Sequence, residues 1–184
     1  SALVSIYFNK MYFGIFKIFN AINNKVVRML TGGLVLGLLV FLAPALYGEG
    51  YDVINALLQQ NYKLALSTNF FNEYLAQSIY VIIFLILLFV FKSIATSVTF
   101  AAGGVGGIFA PVLFMGSAMG NAFALLVNSF GFKQISLTNF TLVGMAGLMA
   151  GIMHAPLTAI FLIAEITSGY GLFIPLMITA GISF

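Results

Sequence analysis

Cysteine is absent from the 184 residues, which removes a disulfide framework, thiolate chemistry and any cysteine-based metal site. A single histidine excludes a histidine-rich metal centre as well, and no cofactor is expected. Charge is nearly as scarce. Seven Lys or Arg and four Asp or Glu make up 6% of the chain, against about 25% in ordinary soluble domains. A soluble fold of this length cannot cover its surface with so few polar charges. With 62% hydrophobic residues, the chain reads as an all-α membrane protein whose solvent is the lipid bilayer. The net charge of +3 comes from dispersed cations with no basic stripe, so nucleic acid is not an expected partner. Residues 1–8 carry neither a basic start nor a small-residue cleavage site, so no secretory leader is expected there. The chain opens without Met and stops inside an apolar stretch, and it reads as a fragment of a longer protein.

A helix crossing about 30 Å of hydrocarbon needs roughly 20 apolar residues, so this length allows about five to seven membrane segments. Residues 1–22 form a first, aromatic-rich helix with Lys10 and Lys17. A second is expected over 25–42, ended by Pro44, Gly48 and Gly50. Residues 51–63 suit a short amphipathic helix, with Val53, Ile54, Leu57 and Leu58 on one face. A long apolar helix is expected over 72–100, with Glu73 at one end and Lys92 towards the other. Further helices follow over 109–130, closed by Gly131, Phe132 and Lys133, and over 137–153, 155–167 and 172–184. The last three are short for a span, as in discontinuous or re-entrant helices that meet inside a membrane. Small-residue pairs at Gly33 and Gly37, Gly116 and Gly120, and Gly147 and Gly151 would let helices approach closely.

Two stretches carry chemistry. In GGVGGIFAP, Gly103 to Pro111, the glycines permit unusual backbone conformations and Pro111 suits the first turn of a helix. The amides of Gly107, Ile108, Phe109 and Ala110 would then be free donors at a positive helix end, a site for an anion that needs no cationic side chain. Dipoles replace part of an anion's hydration shell and still release it, as permeation requires. The alternative is that the glycines serve only close packing and a tight turn. The second stretch, HAPLTAIFLIAEIT at His154 to Thr167, starts a short helix at Pro156 and bears Glu165 near its end. Ionisable groups at membrane depth point to function, although helix-end positions also suit capping or the interface. Lys92 and Glu165 are a possible ion pair, and Ser117 with His154 is the one constellation resembling a nucleophile and base.

These stretches resemble the CLC family of chloride channels and chloride/proton antiporters. GGIFAP at Gly106 to Pro111, followed by Gly116 and Gly120, is similar to one signature segment. HAPLTAIFLIAEIT followed by Tyr170, Ile174 and Pro175 is similar to a later helix and turn, and GEGYDVI at Gly48 to Ile54 matches a weaker pattern. The matches span nearly the whole chain in order. The resemblance implies an inverted-repeat fold, with residues 1–22 as the end of the first half and 23–184 as most of the second. It implies that the segment of Gly106, Gly107, Ile108 and Phe109 binds chloride or a similar anion through backbone amides. It also implies a homodimer, with Leu157, Ile160, Phe161, Ala164, Phe173, Ile174 and Met177 on or near the subunit contact. The family's GSGIP and GREGP segments, its inner proton-transfer glutamate and its anion-ligating tyrosine do not occur here, and Tyr170 sits too early to be that tyrosine. A missing N-terminal half would be needed to complete the pore, with the last membrane helix and any CBS domains also beyond this chain. The resemblance thus implies a multi-pass protein of the cell membrane, channel or antiporter, and not an enzyme. Another secondary transporter with broken helices and a structural membrane subunit are the alternatives.

Overall fold

Backbone polar groups in lipid have to be satisfied within the chain, and the described residues meet that demand with helices alone. The structure, a computed structural model, describes residues 2–65, 78–131, 134–166 and 170–184. Helix α1 covers Ala2–Asn20, α2 Lys25–Leu42, α3 Tyr51–Leu58 and α4 Tyr62–Ala65, with a 3-10 turn at Pro44–Leu46. Then come α5 at Ser78–Ala101, α6 at Phe109–Ser129, α7 at Leu137–Met153, α8 at Pro156–Ile166 and α9 at Phe173–Ser183. Glu73, Phe132, Lys133 and Thr167, and the start expected for the long helix, lie outside the described residues.

Local chemistry explains most of the boundaries. Asn24 caps α2, its Oδ1 accepting the Val26 N–H at 2.9 Å, and Ser136 caps α7 by accepting the Asn139 N–H at 3.3 Å. Gly50 opens α3 at φ +87°, where a side chain would also run into the Phe114 ring. The amphipathic helix is shorter than expected. Gln60 adopts φ 59°, and the Gln60 and Asn61 amides donate back to Leu57 and Ala56 at 3.1 and 2.8 Å. That double bond is a Schellman closure made without glycine, so composition does not betray it.

Among the described residues three helices, α2, α5 and α6, are long and apolar enough to cross a membrane, and α7, α8 and α9 are shorter apolar helices, as the sequence led us to expect of the last three. The eleven residues of α8 or α9 reach only about 16 Å. Helix α6 lies between α5 and α7, and α7 in turn touches α1, α8 and α9. The α6–α7 contact is made backbone to backbone. A methyl group at Gly116 would stand 2.6 Å from the Met145 Cα, and at Gly120 it would overlap the Phe140 carbonyl. Gly144 faces both glycines from α7, so the 116/120 spacing acts as a close-approach pair. The 33/37 pair does not, since neither position has a neighbour within 4 Å of an added methyl.

Polar groups inside this core are satisfied locally. The hydroxyls of Ser93, Thr96 and Ser97 donate to the carbonyls of Phe89, Lys92 and Ser93, one turn back on α5, at 2.7–2.8 Å. Tyr62 donates its hydroxyl to Asn121 Oδ1 at 3.0 Å, and Asn121 Nδ2 donates to Thr141 Oγ1 at 3.0 Å. This chain of bonds ties α4, α6 and α7 together.

Candidate anion-binding site

The glycine loop divides into two parts with different work. Gly103 sits at φ +97°, and the Gly103 and Gly104 amides donate to the carbonyls of Phe100 and Thr99 at 3.1 and 2.8 Å, closing α5. A methyl group on Gly104 would stand 2.8 Å from the Thr99 carbonyl oxygen, so glycine is required sterically here. Gly106 and Gly107 differ. Neither has positive φ, and an added methyl at either would meet nothing within 4 Å. The expectation that the whole loop needs glycine for its backbone conformation is thus corrected: the need lies at 103 and 104, while 106 and 107 stay bare in open space.

That bareness lies at the start of α6. Ile108 is the N-cap, with φ −83° and ψ −16°, and no side chain caps the helix. The first bond into α6 runs from the Val112 amide to the Ile108 carbonyl at 3.1 Å. Among the described residues the amides of Gly106, Gly107, Ile108, Phe109 and Ala110 have no acceptor. These unpaired N–H groups lie at the positive end of the α6 dipole. Ile108 and Phe109 are half-buried, and Gly106 and Gly107 are exposed. Gly106, Gly107 and Pro111 line a cavity of about 160 Å³, whose other walls include Gly48, Lys92 and Thr96.

Lys92 is 4% exposed and points its ammonium at backbone, donating to the Leu46 carbonyl at 3.0 Å and the Gly48 carbonyl at 2.9 Å. The ammonium also lies 4.9 Å from the centre of the Phe114 ring. The expected pair with Glu165 is not formed. Glu165 is exposed near the end of α8, and carbonyls satisfy the lysine instead. The nucleophile–base constellation fails too. Ser117 is fully buried and donates to the Phe114 carbonyl at 2.8 Å, whereas His154 is exposed at φ 52° with its ring against Phe184. A wider open cleft of about 810 Å³ includes Glu49 and Asp52 among its walls, the wrong sign for an anion.

The residues expected at a subunit contact divide. Leu157, Phe161, Ile174 and Met177 are exposed on α8 and α9, Leu157 at 68%, and Phe173 is half-buried with its ring 5.9 Å from that of Phe161. Ile160 and Ala164 are 5% and 4% exposed, covered by the chain itself.

A family model described as voltage gated chloride channel matches residues 1–184. The chain belongs to that family. The voltage-gated chloride channel family accounts for the apolar spans and for the scarcity of charge: this is an integral membrane protein whose activity lies in anion transport. Its members are channels and transporters.

Proposed function

We propose that the amides of Ile108 and Phe109, at the start of α6, bind a partly dehydrated chloride or similar anion as it crosses the membrane. The observation that carries this reading is the conjunction of an uncapped helix start with unpaired amides and two bare glycines beside a cavity. Neutral donors and a dipole hold the ion without a salt bridge, so it can leave again. This helix end is one of several that surround the ion in the complete pore. Two subunits meet through the exposed apolar face of Leu157, Phe161, Ile174 and Met177, each keeping its own pore.

Replacing Ile108 by proline tests the role of the amide, because it deletes one N–H at an N-cap whose φ of −83° proline tolerates. In the full-length protein reconstituted in liposomes, Ile108→Pro is expected to lower chloride flux and calorimetric chloride affinity. A folded variant with unchanged affinity overturns the reading.

A further inference from the structure

Among the described residues the buried lysine beside the glycine loop has no counter-ion. All of its partners are neutral: two carbonyl oxygens at 3.0 and 2.9 Å and the face of Phe114. Among the described residues it makes no ion pair. A buried charge is costly unless compensated, and carbonyl dipoles compensate only part of it. The same side chain forms part of the wall of the cavity that Gly106 and Gly107 line.

We infer that Lys92 is a positioning residue for the transported anion: a fixed positive charge that raises anion occupancy at the start of α6 without binding the ion directly. This inference rests on the amide reading above. Its logic comes from the lysine's bonds. An ammonium already engaged by two carbonyls and a ring is held in place and is not free to swing onto a chloride as a clamp. Its monopole nonetheless extends into the cavity, and in a medium of low effective dielectric a unit charge several ångströms away changes an anion's affinity by about tenfold or more. Attraction without contact suits a permeating ion, which must enter readily and leave quickly. The two carbonyl bonds do a second job, holding the Leu46 to Gly48 stretch against α5 across more than 40 residues of sequence.

Charge and latch separate by substitution. Lys92→Gln keeps N–H donors for the two carbonyls but removes the charge, Lys92→Met removes both, and Lys92→Arg keeps both. Chloride Kd is measured by calorimetry on the full-length protein in detergent, with folding checked by size-exclusion chromatography. The expected result is about tenfold weaker binding for Lys92→Gln and Lys92→Met and near-native binding for Lys92→Arg. Native affinity in folded Lys92→Gln overturns the inference, since a latch alone would then suffice. Unfolding of both neutral variants also overturns it, because the charge would then serve the fold. Failure of the unaltered protein to bind any halide at Ile108 refutes the amide reading instead, so the two failures are distinguishable.

Discussion

Replacing Gly107 by valine puts the proposed ion position to a steric test that spares the fold. An added Cβ at this position meets nothing within 4 Å, and φ is not in the left-handed region, so a side chain can be carried here. Gly107 also lines the cavity and directly precedes Ile108, so on the reading proposed above an isopropyl group here intrudes on the ion's place. If it keeps the ion from one amide, the loss is one hydrogen bond to a charged partner, about 1.5–3 kcal/mol. That corresponds to roughly 10- to 150-fold in Kd. Gly103→Ala is the control: at φ +97° it costs about 1–2 kcal/mol of stability through backbone strain while leaving the amides uncovered. Calorimetric titration of chloride into each full-length variant, paired with a thermal melt, separates the two effects. Gly107→Val is expected to melt like the parent and bind weakly, and Gly103→Ala to melt lower and bind closer to normally. Native chloride affinity in a folded Gly107→Val protein would refute the reasoning.

Gly120→Ala drives a methyl into the Phe140 backbone, which cannot move aside as a side chain can, and is expected to cost about 1–3 kcal/mol in detergent thermal melts. Gly37→Ala, inside α2 with open space around it, should hold or raise the melt, and a loss equal to that of Gly120→Ala would contradict the packing assigned to α6 and α7. Tyr62→Phe strands the buried Asn121 acceptor and should cost about 1–3 kcal/mol. Burial raises the Tyr62 hydroxyl above its ordinary range, so the unfolded chain loses the proton first. Its contribution is complete below pH about 10 and falls as pH climbs towards the raised folded value, and Tyr62→Phe should lack that alkaline loss. Ile174→Glu puts a charge on the exposed α9 face, and on the subunit contact proposed above it should shift the full-length protein towards monomer in analytical ultracentrifugation, whereas an unchanged association state contradicts that contact.

Much of the fold was legible because its signals are local. Asn24, Pro44 and Pro156 mark helix ends through backbone chemistry that acts within one turn, and the boundaries at Lys25, Leu42 and Met153 agree with what these residues dictate. The break at Gln60 was not legible, since a left-handed glutamine is held by two returning backbone bonds that have no compositional trace. The same limit applies to Lys92. Its charge at membrane depth was conspicuous and suggested a carboxylate partner, but the acceptors are carbonyls of Leu46 and Gly48, and a backbone acceptor can belong to any residue. The loop GGVGG shows the limit most sharply. Its glycines look equivalent in sequence, yet two are demanded by the closure of α5 and two leave space in front of free amides. Only the surrounding atoms distinguish a glycine needed for its backbone from one needed for the room it leaves.

Anomalous scattering from bromide in crystals of the full-length protein tests the central claim most directly. The account predicts a bromide peak within hydrogen-bond distance of the Ile108 and Phe109 amide nitrogens, displaced by added chloride. A fully occupied halide elsewhere in the pore, with these amides bonded to water or protein instead, would contradict it.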